Sequence, residues 1–304
     1  MKLSVGPVLY YWPRRAMLDF YAAIAESPAD VVYLGEVVCA RRHELDFDDW
    51  LAIADMLAAR GKEVVLSTQA LVESAGDLKL VRRTLYNGRY RVEANDMGAA
   101  RLLAGHGGWV AGPHLNVYNP RTLGMLVELG ATRWVAPVEA SRELLAGTLA
   151  GRPAALEVEL FGYGRLPLAF SARCFTARRF NLQKESCEFR CVGFPDGMPL
   201  DTREGAPFLA LNGVQAQSAR VYSLAGELPA LAAAGVDVLR VSPQSEDTAQ
   251  ALRVLRAACD GVLDSEAACA ALTPFIPGET CDGFWYGRPG LEQRFLAAGQ
   301  AAAA

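Results

Sequence analysis

Hydrophobic positions along the chain fall into two alternating kinds of run. Short apolar stretches rich in β-branched residues are LSVGPV (3–8), DVVYLG (30–35), EVVLST (63–68), YRVEAN (90–95), WVAGPHLNV (109–117), TRWVAP (132–137), ALEVELFG (155–162) and VDVLRVSP (236–243). Longer segments of helical period separate them. Continuous apolar runs of this length suit parallel strands buried on both faces. Two of the intervening helices carry clear boundary signals. The segment 46–60 begins in an Asp-rich turn, places Trp50, Ile53, Ala54 and Leu57 on one face, and stops at Gly61. Another has Asn119 as N-cap, Pro120 at its first position and Gly130 just past its end.

Eight β-then-α units in about 250 residues predict an α/β fold of the TIM-type (β/α)8 barrel or barrel-like kind. An open doubly wound sheet is the alternative, disfavoured because no G-x-G-x-x-G turn follows the first strand. Strand starts lie 19 to 33 residues apart until the last step, from 155 to 236, which is 81 residues. That interval holds SARCFTARRFNLQKESCEFRCVGFP (171–195) and two further strand-like runs, PFLALNGVQ and ARVYSLAG. A cysteine-bearing insertion at 165–225, after the seventh strand, is expected to emerge at the C-terminal mouth of a barrel, where catalytic loops collect. The organisation expected is one barrel-like domain over 1–290 and a frayed tail over 291–304 ending in AAGQAAAA. The dipeptide glycines of Gly162-Tyr163-Gly164 read as a tight turn ending the seventh strand.

With 304 residues and 52% hydrophobic content, the chain can bury a large core without a second domain. Its 30 basic and 34 acidic residues are mixed along the chain, for a net charge of −4, which leaves no footprint for nucleic acid. The start, MKLSVGPVLYYWPRR, lacks the h-region of a signal peptide, and no apolar run reaches the length of a transmembrane segment. A cytoplasmic location is therefore expected, and there the seven cysteines read as metal ligands and free thiols rather than disulfides.

Three of those cysteines, Cys174, Cys187 and Cys191, are separated by twelve and then three residues. Cys39 follows Gly35, at the end of the second strand, by four positions and belongs to the same mouth. Four thiolates suit zinc or an iron–sulfur cluster. The spacing lacks C-x-x-C knuckles and leans towards a wider, multi-iron object, with ordinary buried thiols as the alternative. Arg41, Arg42, Arg173, Arg178, Arg179 and Arg190 lie beside the cysteines, either to offset charge and hold an anionic substrate or as a solvated rim. Glu36, Glu93, Asn95, His114 and Asn116 fall at strand ends, and with Arg173 they are the candidate contacts for an aromatic or carboxylate ligand. The alternative is that these polar groups are satisfied within the protein. The aromatic FWYG (284–287) is expected to pack the C-terminal segment onto the barrel, or to cover a hydrophobic ligand or partner.

GPVLYYWP (6–13), VVYLGEVVCARR (31–42), VLSTQALV (65–72), YGRLPLAFSARCFTAR (163–178), VLRVSPQ (238–244) and CDGFWYG (281–287) together resemble one family. It is the collagenase-like peptidase (U32-type) family, in particular its branch acting in O2-independent ubiquinone biosynthesis. The resemblance implies a [4Fe-4S] cluster held by Cys39, Cys174, Cys187 and Cys191. It also implies a heterodimer with the sister protein UbiU, hydroxylating the aromatic ring of prenylated ubiquinone precursors without O2, with prephenate as oxygen donor. On that reading the chain is the iron–sulfur subunit of a ring hydroxylase. The alternatives are a non-catalytic partner stabilised by its cluster and a zinc-stabilised binding module. Cys259, Cys269 and Cys281 are read as structural. Peptidase activity is not expected, because the histidines are His43, His106 and His114, with no H-E-x-x-H and no G-x-S-x-G.

Overall fold

The computed structural model describes residues 1–296. The first half of the chain alternates strictly: β1 (Lys2–Val5), α1 (Arg14–Ala25), β2 (Val31–Leu34), α2 (Phe47–Ala59), β3 (Glu63–Ser67), α3 (Ala75–Leu85), β4 (Arg91–Ala94), α4 (Met97–Leu102) and β5 (Trp109–Ala111). Then come α5 (Pro120–Glu128), β6 (Ala131–Val135), α6 (Arg142–Thr148), β7 (Glu157–Phe170), α7 (Phe175–Arg179), β8 (Met198–Asp201), β9 (Pro207–Asn212) and β10 (Gln215–Ser223). The chain continues through α8 (Leu228–Ala233), β11 (Val238–Val241), α9 (Thr248–Cys259), α10 (Ser265–Leu272) and β12 (Thr280–Cys281).

Strands β1 to β7 pair in order and in parallel, and β11 pairs in parallel with both β7 and β1, which closes an eight-stranded barrel. This is the TIM-type architecture; the open sheet is excluded by that closure. Side chains alternate across the wall. Leu3, Val32, Leu34, Leu66, Trp134, Leu160 and Leu239 face outward into the main core under the helices. Val31, Tyr33, Val65, Val110 and Val135 form a small apolar cluster of their own.

The helix ends follow the sequence signals closely. Asp46 caps α2, accepting from the backbone N–H groups of Asp48 and Asp49, while Asp49 accepts from the Asp46 N–H. Asn119 caps α5 through the Thr122 N–H, and Gly130 follows it with φ +108. Each such cap contributes about 1 kcal/mol.

The seventh strand departs from expectation. No turn interrupts Gly162-Tyr163-Gly164; β7 runs on to Phe170, and its distal half pairs antiparallel with β10. The glycines are there for packing: a Cβ on Gly162 would lie 2.1 Å from Leu239 Cδ1, and one on Gly164 would lie 2.7 Å from Ser242 Cβ. The antiparallel ribbon β8–β9–β10 continues this extension, so the sheet leaves the barrel wall here. The described part of the C-terminal segment is tied to the body. Asp282 accepts from the backbone N–H groups of Arg294 and Phe295, and its own N–H donates to Glu292 O. Within FWYG, Trp285 is 1% exposed and its indole donates to Glu227. The rest of the expected tail, from 297 onward, lies outside the described residues. No helix among the described residues is long and apolar enough to cross a membrane.

Candidate functional site

The interior of the barrel is charged. At its lower end Arg133, completely buried, donates to Glu157 at 2.7 Å and to Glu63 at 2.9 Å. Arg91 joins the same carboxylates, and Lys2 reaches Glu157. At mid-height Glu159 accepts from Ser4 Oγ at 2.6 Å and from the Tyr33 hydroxyl. Above it Arg240 donates to Glu159 and Glu93 at 2.7 Å each, with its guanidinium 4.0 Å from the Tyr33 ring centre. Glu93 also accepts from Ser67 Oγ and Asn95 Nδ2. Burial opposes the charge on Arg240, but Glu159 and Glu93 outweigh it and hold its pKa above the ordinary value. The strand sequences carry a signal for this column that the apolar runs mask: Glu157 and Glu159, Arg91 and Glu93 recur two apart, the spacing of one strand face.

At the C-terminal rim the loop after β2 starts with Gly35 at φ +120, where a Cβ would meet Ser67 O at 2.8 Å. The Glu36 carboxylate then accepts from the N–H groups of Val38 and Cys39 at 2.9 and 3.0 Å, which fixes the turn presenting Cys39. Burial pushes the Glu36 carboxyl pKa up, against the pull of Arg42. Arg42, 6% exposed, donates to Leu9 O at 2.8 Å and to Asn212 Oδ1 at 2.6 Å, so it ties the β2 loop to the segment after β1 and to the β9–β10 turn.

The segment after β7 is pinned to that same turn. Ser171 N–H donates to Val214 O, Phe175 N–H to Gly213 O, and Gly213 N–H to Thr176 Oγ1. Cys174 serves as N-cap of α7, its sulfur accepting from Ala177 N–H at 3.3 Å. Between Cys187 and Cys191 the chain reverses through two successive left-handed residues, Glu188 (φ 50) and Phe189 (φ 51). Holding non-glycine residues there costs about 1 kcal/mol or more each. The Phe189 ring offsets part of this by packing 4.8 Å from His43 and 5.7 Å from Tyr11, while Arg41 donates to Glu185 O at 2.6 Å.

These loops bring thiols from two distant parts of the chain to one side of the mouth. Cys39 and Cys174 pack on the apolar patch of Leu9, Val37, Val38 and Val214. Cys191 neighbours Cys174 and Cys187, and the Arg42 guanidinium neighbours both Cys191 and Cys39. Burial pushes the Cys39 and Cys191 thiols up, and Arg42 draws both down. Among the described residues no three His, Cys, Asp or Glu side chains converge closely enough to hold one metal ion. A single zinc would need its thiolates about 2.3 Å from one point. A multi-iron cluster binds each thiolate to a different iron, so its donors stand farther apart. The donor set, together with a buried Arg42 Nε that has no partner, fits the wider group.

The remaining sequence candidates divide. Glu93, Asn95 and His114 line a small cavity at the centre of the mouth with Arg240. His114 packs edge-on against Phe170, ring centres 4.8 Å apart. Burial, with Arg240 nearby, pushes its pKa down to about 3, so the ring is neutral. Asn116 sits in a left-handed turn and is exposed, as is Arg173; neither is brought to the cysteines by a hydrogen bond of its side chain. Cys259, Cys269 and Cys281 lie in α9, α10 and β12, and burial pushes the last two thiols up to about 11 and about 12.

A second cavity, of about 260 Å3, lies between the barrel wall and helices α2 and α3. Glu36, Ala40 and Arg42 belong to its lining, which sets it against the loop that presents Cys39. Gln69 also lines it, a residue that sequence reasoning did not single out although it stands inside VLSTQALV.

The sequence matches Peptidase family U32 over residues 17–294. Among solved structures, the chain is similar to the U32 peptidase Mk0906 at 14% identity, covering 81% of this chain and 94% of that one, with a TM-score of 0.45. It is also similar to tryptophan synthase from Mycobacterium tuberculosis at 13% identity, covering 91% of this chain and 93% of that one, with a TM-score of 0.44. The family match spans most of the sequence, and the chain belongs to Peptidase family U32.

Proposed function

We propose that the chain is a UbiV-type subunit that holds a [4Fe-4S] cluster through Cys39, Cys174, Cys187 and Cys191. With UbiU it hydroxylates the ring of prenylated ubiquinone precursors without O2, taking the oxygen from prephenate. The observation that carries this reading is the meeting of two loops, separated by more than a hundred residues of sequence, around the buried Arg42. When bound, such a cluster supplies one-electron transfer. The protein's own part is to orient and neutralise: Glu36 fixes the backbone at Cys39, Cys174 starts α7, and Arg42 sets a buried positive charge beside the thiols. The zinc reading is weaker because the thiols do not surround one point. Proteolysis is weaker still, since the neutral His114 has Phe170 rather than a nucleophile against its ring.

The test is purification without air, followed by counting iron and sulfide. The expected outcome is about four irons per chain. Serine at any one of the four cysteines should cut the iron to background, while Cys259→Ser and Cys269→Ser keep it. Stoichiometric zinc in place of iron would end the proposal. Retained folding and pairing with UbiU but no hydroxylation in Cys191→Ser would favour an active role for the cluster over a structural one.

A further inference from the structure

A cation taken out of water needs anions close by. Arg133 and Arg240 have them: each meets two carboxylates at 2.9 Å or less. Arg42 is buried to a similar degree, yet its closest carboxylate, Glu36, lies at 3.5 Å. The Glu36 oxygen it faces is shared, because the same atom accepts from the Val38 and Cys39 N–H groups. The other neighbours of the guanidinium are neutral. Nη1 donates to Leu9 O, Nη2 donates to Asn212 Oδ1, and the Tyr11 ring centre is 5.6 Å from the central carbon. Of the three buried arginines, Arg42 is therefore the one with too little negative charge around it.

Its place between the two cysteine loops is set by backbone contacts. The Arg42 N–H donates to Cys39 O at 3.0 Å and closes the turn that presents that thiol. On the far side the guanidinium lies against Gly213, at φ +65, where a Cβ would stand 3.1 Å from Nη2. Gly213 O accepts from the Phe175 N–H at 2.7 Å, one residue past Cys174, and the Gly213 N–H donates to Thr176 Oγ1. One buried cation thus touches the turn of Cys39 and the turn that pins Cys174, with one buried carboxylate beside it. A group held by four thiolates is anionic, and an added electron makes it more so. At low dielectric a nearby cation favours the reduced form and a nearby anion opposes it, and local charge is among the factors that set iron–sulfur potentials. Arg178 and Arg179, on the helix that Cys174 caps, are exposed, so water screens them.

We propose that Arg42 and Glu36 act in opposite directions on the reduction potential of the group the four thiolates hold: the charge of Arg42 raises it, the charge of Glu36 lowers it, and Asn212 with Leu9 O keeps the guanidinium in place. Both are positioning residues. Glu36 is needed to fix the Cys39 turn, and Arg42 offsets the negative charge this brings to the site. The proposal rests on the iron–sulfur reading and on neither the hydroxylase chemistry nor UbiU. The step concerned is the passage of one electron from an outside reductant to the oxidised group, with no bond made or broken.

The test is a potentiometric titration of the full chain, purified without air, with dithionite as reductant and the reduced form read by electron paramagnetic resonance. Mildly alkaline buffer keeps the Glu36 carboxyl ionised. At one fixed potential, Arg42→Gln should lower the ratio of reduced to oxidised protein about tenfold, which is about 59 mV for one electron. Glu36→Gln keeps an oxygen for the Val38 and Cys39 N–H groups and should raise the ratio by about threefold or more. The double variant should return towards the starting value. Arg42→Lys, which keeps the charge, and Arg178→Gln, which removes an exposed one, should each stay within about twofold. A purely structural role for the pair predicts shifts in one direction or none. Shifts of the same sign in Arg42→Gln and Glu36→Gln, or an unmoved Glu36→Gln, would overturn the proposal, and Glu36→Gln decides alone if Arg42→Gln holds no iron. Full iron with unmoved potentials removes the proposal and leaves the iron–sulfur reading, whereas an unaltered chain that holds no iron ends both.

Discussion

The inside of the barrel and its rim treat buried polar groups in opposite ways. Inside, Arg133, Arg240, Glu93 and Glu159 are almost completely removed from water, and each charge meets an opposite charge at short range. Tyr33 and Ser4 take the remaining positions on Glu159. At the rim the side chains are no less buried, yet Gln69, the Asn95 oxygen and the Arg42 Nε have no partners. The matched column holds the barrel interior together, and its upper members Glu93 and Arg240 also line the small cavity at the mouth. Such bare atoms are donors and acceptors that water or a ligand can satisfy, and they also occur away from the rim, at Trp134 and Arg256.

The charged interior depends most on Arg240, which bridges Glu93 and Glu159, both 0% exposed. Replacing it with methionine leaves the buried Glu93 without a cation and Glu159 with only Arg133, 3.9 Å away, and the expected loss is about 3–5 kcal/mol, read as a lower urea midpoint. Adding Glu93→Gln and Glu159→Gln should restore much of it, since the cost lies in the stranded charges rather than in the missing pair. A loss under about 1 kcal/mol in the single variant would mean that the interior is open to water, and the contrast with the rim would disappear.

Much of this fold is legible in the sequence, and the reasons can be named residue by residue. The strands announce themselves because both faces are buried, so runs such as Val31 to Leu34 carry no polar interruption. The caps at Asp46 and Asn119 are local chemistry, satisfied within three residues, and local chemistry survives in a one-dimensional reading. The continuation of β7 is not legible. Its two glycines look like a turn, and their purpose emerges only once Leu239 and Ser242, some eighty residues away, are packed against them. The site divides on the same line. Cysteine spacing marks Cys174, Cys187 and Cys191 as a group, but the position of Arg42 beside Cys39 and Cys191 depends on Leu9 and Asn212, from remote segments. Gln69 stands beyond any sequence reading, because what distinguishes it is a partner it lacks.

His114 sits where the two regions meet, beside Glu93 and Arg240 in the small cavity at the mouth, and makes stability depend on pH. Its pKa is about 3 in the folded chain against 6.5 for an ordinary histidine, with burial the main cause. Below pH 6.5 the unfolded chain takes up a proton that the folded chain refuses. Stability should therefore fall as the pH drops from 6.5 towards 3, by at most about 1.4 kcal/mol per unit. Glu157, held down to about 2 against burial by Lys2 and Arg133, adds its own loss, but only below its ordinary 4.5. Between pH 6.5 and 5 the raised pKa of Glu36 acts in the opposite sense, so the histidine is read by difference: His114→Phe should lower the slope of the urea midpoint there by up to one proton. An unchanged slope would show that the mouth is wet and that His114 titrates freely.

The smallest expected effect has the unusual sign. Gln69 and Asn212 are both amides buried at the rim, 2% and 1% exposed. Asn212 donates to Leu9 O and accepts from Arg42, whereas Gln69 does neither with anything. Leucine in place of Asn212 should cost about 1–3 kcal/mol by stranding the arginine and the carbonyl. Leucine in place of Gln69 strands nothing and relieves a buried amide, so the apo chain should gain about 1 kcal/mol, a rise in Tm of about 2 °C for a domain of this size. A polar side chain that costs stability where it stands is one retained for something other than the fold. If Gln69→Leu instead lowers Tm as Asn212→Leu does, the two amides are alike, Gln69 is held by partners in solution, and the rim loses the feature that sets it apart from the interior.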